Sequence, residues 1–316
     1  MSNLPHLPMA QAAVDRDYLA RENPELFDVL WSDPATRVLA LYDGKVLLGD
    51  SSHPGVPALR LLPVEDVPSA QLRVYLGKTL KASASEPAGT PVVLAVLSTN
   101  SANQLEPNLA NWHEVRRTGL GLSGSDANLY AMANALANFH NNHKHCPACG
   151  LPTVIEKGGW SRRCFADGKQ VFPRTDPAII VSVTDEDDRI LLGSQGVWEE
   201  NRWSVLAGFV EAGESLSAAV VREVAEEAGV LVTDLEYLGS QSWPFPYSLM
   251  VGFSARLDPA IPNQALVPDG LEIEKLKWFS RDEISALVAD QQIILPGPLS
   301  IARGLIEHWY GGPLNV

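Results

Sequence analysis

Short apolar runs bounded by turn residues dominate the first third of the chain. Two such runs flank the Asp43–Gly44 pair within residues 38–49, a pattern that predicts a β-hairpin. The run PVVLAVL at 91–97 predicts a buried strand. Apolar residues then recur at helical spacing from 125 to 143, which predicts one long helix. The hairpin sequence DGKVLLGD has a weak echo, DDRILLGS, at 187–194, which indicates two related halves.

Strands and helices also alternate through the second half of the chain. The Ser-x-x-Glu pair Ser280 and Glu283 predicts a capped helix start, and a last helix is predicted over 300–310. This order of elements indicates a mixed sheet with flanking helices. The strands are predicted at 177–184, 190–193, 203–206, 235–241, 249–255 and 275–279.

A cluster of three glutamates lies on one predicted helix. Glu223, Glu226 and Glu227 stand at i, i+3 and i+4, so a helix of 3.6 residues per turn carries them on one face. Three apolar residues of this helix can then face a core: Val220, Val224 and Ala228. Like charges at this spacing repel one another by roughly 0.3 kcal/mol a pair. Either the face is simply solvated, or a divalent cation holds the carboxylates together.

The glutamate cluster belongs to a longer motif. Residues 208–230 fit G-x5-E-x7-R-E-U-x-E-E-x-G-U, where U is aliphatic, at all nine specified positions. The segment therefore resembles the Nudix box, and a match at nine specified positions seldom arises by chance. Gly229 predicts the helix stop, and Gly208 predicts a tight turn before the helix.

The resemblance to Nudix hydrolases implies hydrolysis of a nucleoside diphosphate linked to another group, with Mg²⁺ or Mn²⁺ as cofactor. It implies Glu223 and Glu227 as leading metal ligands, Glu226 as a third, and Arg222 as the group that orients them. Glu272, in GLEIEKLKW, holds the place of a further metal-binding glutamate. Its other interpretation is an exposed charge at a strand edge. Which glutamate acts as general base stays open.

A second motif narrows the substrate class. Residues 240–248, SQSWPFPYS, resemble the SQPWPFPxS signature of the NADH pyrophosphatase (NudC-like) subfamily, with Ser242 in place of a proline. Alone, such a stretch is also typical of a rigid surface turn or a proline-rich ligand. In this subfamily it implies contacts with a planar base or nicotinamide ring. The residues implied are Gln241, Trp243, Pro244, Phe245, Pro246 and Ser248.

The subfamily resemblance also assigns contacts outside these motifs. It places Phe209 to stack on an adenine-type base, and Phe172 to reach the site of a partner subunit in a homodimer. Ala207 and Ala302 match backbone contacts near the substrate. Arg117 matches a phosphate contact from the N-terminal half.

The three cysteines lie within nineteen residues of one another. A C-x2-C pair is followed, after fourteen intervening residues, by a cysteine and an aspartate at the same interval: Cys146, Cys149, Cys164 and Asp167. This pattern resembles the four-cysteine zinc ribbon of the subfamily with one ligand exchanged, and implies structural Zn²⁺. His143 or His145 could substitute for the aspartate. The alternative is a degenerate ribbon that buries reduced thiols.

Composition bears on location and partners. No apolar run approaches about 18 residues, and the N-terminus lacks a signal-peptide pattern, so we expect a cytoplasmic protein without a membrane span. The net charge of −14 opposes polyanions in general. A capped RNA would therefore need local arginines, for which the candidates are Arg116, Arg117, Arg162 and Arg163.

The sequence thus predicts an α/β protein: a Nudix α/β/α sandwich after an N-terminal degenerate Nudix-like α+β domain and an intervening zinc-ribbon-like segment. The boundaries are predicted at 1–140, 141–171 and 172–316. The predicted reaction is metal-dependent hydrolysis of NADH or NAD⁺ to AMP and nicotinamide mononucleotide, with removal of NAD caps from RNA as a further activity. The alternatives are a broader hydrolase of ADP-ribose or diadenosine polyphosphates, a non-catalytic nucleotide sensor, and a zinc-ribbon nucleic-acid module.

Overall fold

The predicted hairpin is present in the structure, a computed structural model. Asp43 and Gly44 both adopt left-handed φ angles, of 51° and 72°, which a two-residue turn of this type requires. The hairpin belongs to a first unit comprising Pro8–Thr175 and Ser242–Tyr247, and the rest of the chain forms a second unit. The structure describes Leu4 and residues 7–50, 56–83, 86–118 and 121–314, without the side chains of residues 50, 117 and 118.

The first unit is built on one mixed sheet. Its strands are β1 (Val14–Asp15), β2 (Arg37–Tyr42), β3 (Lys45–Asp50), β4 (Pro57–Leu59), β5 (Leu61–Pro63), β6 (Ala70–Thr79), β7 (Pro91–Leu97) and β8 (Trp112–His113). Its helices are α1 (Leu26–Ser32), α2 (Thr99–Leu105), α3 (Val115–Thr118) and α4 (Gly124–Asn142). Strand order is β1-β6-β7-β2-β3-β4, with β5 beside β2 and β8 beside β3. Because β2 runs parallel to β7, their carboxyl ends meet at one edge of the sheet.

Helix α4 follows the predicted periodicity closely. The Ser123 side chain accepts a hydrogen bond from the Asp126 amide at its start, and Leu129, Leu136 and Phe139 are buried. The strand predicted at 91–97 is also confirmed, and it is buried along almost its whole length.

A small three-stranded sheet follows α4. It consists of β9 (Val154–Glu156), β10 (Ser161–Arg163) and β11 (Gln170–Val171). Two turns of matching geometry carry the cysteines, since the Gly150 amide donates to the Cys146 carbonyl and the Gly168 amide to the Cys164 carbonyl, each at 2.9 Å. Both glycines have left-handed φ angles.

The second unit repeats the strand arrangement of the first. Its strands are β12 (Asp176–Thr184), β13 (Ile190–Ser194), β14 (Leu206–Phe209), β15 (Val232–Trp243), β16 (Ser248–Leu257) and β17 (Lys275–Phe279). Its helices are α5 (Leu216–Ala228), α6 (Arg281–Ala289) and α7 (Ile301–Tyr310). The order is β15-β16-β12-β13-β17, with β14 beside β12. The central β12 runs parallel to β16 and antiparallel to β13. In the first unit, β2 likewise runs parallel to β7 and antiparallel to β3.

Helices cover both faces of this sheet. Residues of β12 alternate between two cores: Ile179 and Val181 pack with α5, while Ile180 packs with α6 and α7. The predicted capping box at Ser280 and Glu283 opens α6. The predicted α/β/α sandwich is therefore confirmed.

One predicted strand begins at the wrong residue. The strand predicted at 203–206 starts at Leu206 and runs to Phe209 along β12. Before it, Ser204 forms an isolated bridge to Gly193, and the Trp203 amide bonds the Ile294 carbonyl. The apolar residues of 203–206 pack in the core, and this segment does not form one continuous strand. Trp203 and Ser204 bond Ile294 and Gly193, and only Leu206 pairs with β12. The predicted boundaries at 140 and 171 remain predictions.

Candidate active site

Helix α5 presents the glutamates as the sequence predicts. The Ser215 side chain accepts from the Ala218 amide at 3.1 Å, and Gly229 ends the helix in the left-handed conformation. Its apolar face, with Val220, Val224 and Ala228, is fully buried. The opposite face is therefore free to carry carboxylates.

Gly208 serves a different purpose from the predicted turn. It lies within β14, paired with Ile179. A Cβ atom at this position would come within 1.9 Å of the Glu223 carboxyl carbon. The glycine is therefore needed for close approach of a carboxylate to the strand, and the turn before α5 has its left-handed residue at Gly213 instead.

Arg222 holds the carboxylates of the box together. Its guanidinium donates to both oxygens of Glu214, at 2.8 and 2.9 Å, and to Glu223 at 2.9 Å and Glu226 at 2.8 Å. It also donates to the Phe209 carbonyl at 2.9 Å. The bidentate pair lowers the pKa of Glu214 and raises that of Arg222. A single arginine thus fixes helix, loop and strand in one arrangement.

Glu227 is the most unusual carboxylate of the site. Its side chain is 4% exposed, and its Oε2 atom has no hydrogen-bond partner among the described residues. Burial, then repulsion from Glu223, Glu272 and Asp269, raises its pKa to about 8, although a backbone hydrogen bond from Ala207 opposes this. Burial also raises the pKa of Glu223. Burial and repulsion from neighbouring carboxylates therefore both oppose the ionised form of Glu227.

Asp269 positions Glu272 and is absent from the predicted site. Its carboxylate accepts hydrogen bonds from the amides of Leu271, Glu272 and Ile273, at 2.8–3.2 Å. Glu272 itself lies in this exposed loop rather than on a strand. The Asp-Gly dipeptide at 269–270 signals a turn but gives no sign that the turn holds a metal ligand.

These residues fit a hard divalent cation. The donor set consists of carboxylate oxygens, which suit Mg²⁺ and Mn²⁺. A buried carboxylate oxygen without a partner is costly unless a cation compensates it. Glu223 and Glu272 lie near enough to Glu227 to raise its pKa, whereas Glu226 is exposed and bonded to Arg222.

The signature loop is anchored by amide side chains that sequence reasoning missed. Asn134 and Asn138 of α4 donate to the Pro244 carbonyl, at 2.8 and 3.0 Å. Asn138 also donates to the Pro246 carbonyl at 3.3 Å. Phe245 packs edge-on against Trp243, with ring centroids 5.2 Å apart. Nothing in the local sequence of α4 pairs these asparagines with a loop about 110 residues away.

Gln241 and Ser248 mark the two ends of this loop. Gln241 is fully buried, where its side chain donates to the Leu299 carbonyl and accepts from the Ile301 amide, both at 2.8 Å. Its amide therefore contacts the backbone ahead of α7. Ser248 opens β16 opposite Asp176.

The other residues that the resemblance assigns to substrate contacts lie on several different elements. Phe172 and Phe209 are more than half exposed. Ala207 lies in β14, while Ala302 is buried in the first turn of α7. The side chain of Arg117 lies outside the described residues.

The predicted zinc ligands converge in space. One ligand atom from each residue of the set lies within 4.8 Å of the others: Cys146, Cys149, Cys164 and Asp167. Hydrogen bonding from the Lys169 amide lowers the pKa of Asp167, which favours the ionised carboxylate. His143 and His145 are not members of this cluster. Asp167 therefore stands in the fourth position.

Two of the arginines considered for RNA are bonded to neighbouring side chains. Arg162 is buried and bonds Thr153 and His140. Arg163 pairs with Glu156 at 2.6 Å. Arg116 lies over the Trp243 and Phe245 rings, at 5.9 and 5.5 Å from their centroids. Arg116 therefore contacts the aromatic rings of the signature loop.

A mixed sheet between helical layers, with a carboxylate helix against its central strand, defines the second unit as a Nudix fold. Consecutive parts of the chain match a NADH pyrophosphatase-like rudimentary NUDIX domain at 35–138, a NADH pyrophosphatase zinc ribbon domain at 141–172 and a NUDIX domain at 173–296. Within the described residues, every helix is too short or too polar to cross a membrane.

Relatives match this chain over different shares of their length. The NAD-capped RNA hydrolase NudC of Mycobacterium tuberculosis (strain ATCC 25618 / H37Rv) is 40% identical over 274 residues, covering 81% of this chain and 86% of that protein. The NAD-capped RNA hydrolase NUDT12 of Homo sapiens is 36% identical, covering 60% of this chain and 43% of that protein. A crystal structure of a NUDIX hydrolase from Nitrosomonas europaea is 21% identical, covers 55% of this chain and 96% of that one, and has a TM-score of 0.41. The chain belongs to the NUDIX family of hydrolases, in the group that contains the NudC proteins.

Proposed function

We propose that this protein hydrolyses the pyrophosphate bond of NADH and NAD⁺ to AMP and nicotinamide mononucleotide, and removes NAD caps from RNA. The observation that carries the proposal is the buried carboxylate oxygen of Glu227 beside Glu223, which no described residue hydrogen-bonds, within an intact box. A nucleotide sensor has no need for such a costly cluster. The relatives named above are NAD-capped RNA hydrolases.

Four glutamates are proposed to hold the metal: Glu223, Glu226, Glu227 and Glu272. When bound, Mg²⁺ or Mn²⁺ supplies neutralisation of the phosphoryl oxygens and lowers the pKa of a coordinated water. The chain's own part is to hold these carboxylates in place. Arg222 does so for Glu223 and Glu226 through its hydrogen bonds. Asp269 does so for the Glu272 loop.

The reaction joins the oxygen of one water to one phosphorus while the bridging P–O bond breaks. Each product then carries a terminal phosphate, so the two are AMP and the mononucleotide. Because both phosphates of the substrate are anionic, hydroxide approaches only where that charge is offset. This requirement explains why the site is rich in acidic groups that collect cations rather than in arginines.

Residues around the box and the signature loop are proposed to bind the dinucleotide. The exposed ring of Phe209 and the Trp243–Phe245 pair offer flat surfaces to the base and the nicotinamide. Backbone groups near Ala207 and Ala302, and the Ser248 hydroxyl, offer polar contacts. Pro244 and Pro246 shape the loop. We assign Gln241 the task of fixing the loop's first residue, because it is fully buried.

We infer that the ribbon binds Zn²⁺ through three cysteine sulfurs and Asp167. The converging ligand atoms support this, as does the matching ribbon family. We also infer a cytoplasmic homodimer in which Phe172 reaches the partner's site, with Arg117 contacting phosphate. Light scattering of the purified protein tests the dimer, and a monomer would exclude the role of Phe172.

The test of the proposed function is chromatographic analysis of products with Mg²⁺ or Mn²⁺. Equal concentrations of NADH, NAD⁺, ADP-ribose, a diadenosine polyphosphate and a short NAD-capped RNA are compared. We expect equimolar AMP and nicotinamide mononucleotide from NADH and NAD⁺, and release of the mononucleotide from capped RNA. Faster cleavage of ADP-ribose or the polyphosphate would favour the broader hydrolase, and no cleavage at all would favour the sensor.

A further inference from the structure

A cleft of about 700 Å³ opens in the first unit. None of the residues that line it belongs to the box helix α5. It lies at the carboxyl ends of the parallel strands β2 and β7, and residues 41–44 and 96–99 line it. Helix α4, strands β6, β9 and β10, and Lys144 supply the rest of the lining. Ligands of open α/β sheets commonly bind at this position relative to parallel strands. The cleft is large enough for a nucleotide.

Arg162 is the charged group buried in the lining of this cleft. It is 8% exposed and donates to the Thr153 hydroxyl at 2.7 Å, the Thr153 carbonyl at 2.8 Å and the His140 ring at 3.0 Å. Its hydrogen-bond partners are neutral, and no carboxylate among the described residues pairs with it. These three hydrogen bonds use three of the five N–H groups of the guanidinium, so two remain.

His140 does not supply the missing negative charge. Burial, together with Arg162, lowers its pKa to about 4, and its ring donates to the Gly159 carbonyl at 2.7 Å. The imidazole is therefore neutral and accepts from Arg162 through Nδ1. Burial of a guanidinium among neutral neighbours costs free energy unless an anion pairs with it.

Other side chains in the lining fit the remainder of a nucleotide. Lys144 is exposed and makes no ion pair among the described residues, so it can join Arg162 on a phosphate. Gln71 and Asn141 are exposed amides that can both donate and accept at a base or ribose. Asp43, at the hairpin turn, is the acidic residue of the described lining.

We propose that this cleft is a second nucleotide site, in which Arg162 and Lys144 bind the phosphate of a nucleoside monophosphate unit. The unit is either a free nucleotide or a nucleotide of a single-stranded RNA. The proposal builds on the proposed function only in the second case, because the RNA would then be the capped substrate. Asn134 and Asn138 line the cleft and also bind the Pro244 carbonyl, so an occupant would contact the anchors of the signature loop.

Binding is tested with 5′-AMP and with an uncapped, 5′-phosphorylated pentaribonucleotide, by calorimetry without added Mg²⁺ or Mn²⁺. Lys144→Glu is the principal variant, because this exposed side chain can change without disturbing the fold. Lys81→Glu is the matched control, since that lysine is exposed and outside the lining. Arg162→Gln is added where its unfolding midpoint stays near that of the parent.

We expect Lys144→Glu to weaken binding of at least one probe about tenfold or more, while Lys81→Glu changes it less than twofold. Loss confined to AMP would identify a free nucleotide, and loss confined to the oligonucleotide would identify RNA. NADH hydrolysis with Mg²⁺ should stay within twofold of the parent in both variants, which separates this outcome from failure of the proposed function. Equal binding by the two lysine variants, or no binding by the parent, would overturn the proposal and leave Arg162 a structural residue.

Discussion

Replacement of Glu227 by glutamine is expected to make the metal-free protein more stable while it removes activity. The substitution keeps the size of a side chain that is 4% exposed and takes away only its charge. In the parent, that charge is buried beside Glu223, and one of its oxygens has no hydrogen-bond partner in the described part of the chain. Most substitutions in a core destabilise, so the expected gain is diagnostic of a site built for a cation.

The pKa shift sets the size and the pH window of this effect. The pKa of Glu227 is 4.5 as the ordinary value, taken for the unfolded chain, and about 8 in the native state. Between these two pH values the native state therefore binds more protons than the unfolded state. The stability of the parent therefore falls as the pH rises through this window. At roughly 1.4 kcal/mol per pKa unit, the limit at pH 8 is roughly 5 kcal/mol. Relaxation of the carboxylates lowers this, and we expect about 2 kcal/mol at pH 8 and little at pH 5.

Urea unfolding at pH 5 and pH 8, with and without Mg²⁺, measures the effect. With metal the order should reverse, because binding to the native state stabilises the parent by about 2.7 kcal/mol at one hundred times the Kd and stabilises the variant less. Glu226→Gln is the matched control on the same helix, since that side chain is 59% exposed and should give no such gain. A Glu227→Gln protein that is less stable than the parent at pH 8 without metal would refute the reasoning.

Three further predictions concern single residues. Gly208→Ala should lower turnover about a hundredfold or more with little loss of stability, because the new Cβ displaces the flexible Glu223 carboxylate; normal kcat would contradict this. Asp269→Ala should raise the Mg²⁺ concentration for half-maximal activity about tenfold, since three amides lose their acceptor, with Asp269→Asn affected less. Asp167→Ala should reduce bound zinc, measured by elemental analysis, whereas His143→Ala should retain one zinc per chain.

Local signals in the sequence were sufficient for most elements of the fold. The Asp43–Gly44 turn, the periodicity of α4 and the Ser280 capping box each act within a few residues, and each is present in the structure. The box helix was also predictable, because Val220 and Val224 repeat at the spacing that buries one face.

Features that depend on distant contacts could not be predicted in this way. Gly208 is required by the approach of Glu223 rather than by a turn, which only the strand pairing of β14 reveals. Asn134 and Asn138 have ordinary helical neighbours, and their partner is a carbonyl about 110 residues away. Asp269 carries a turn signal but not its link to the site. In each case the residue is required by a contact with a distant part of the chain, and the neighbouring sequence contains no signal of that contact.

The central claim is metal-dependent hydrolysis of a dinucleotide pyrophosphate at the box carboxylates. It is tested most directly by incubating NADH in ¹⁸O-labelled water with Mg²⁺ and the parent, Glu227→Gln or Lys81→Glu protein. We predict equimolar AMP and reduced nicotinamide mononucleotide, with one ¹⁸O in the phosphate of one product, from the parent and Lys81→Glu. Glu227→Gln should be slower by about two orders of magnitude or more. Products without ¹⁸O, or undiminished turnover by Glu227→Gln, would contradict the claim.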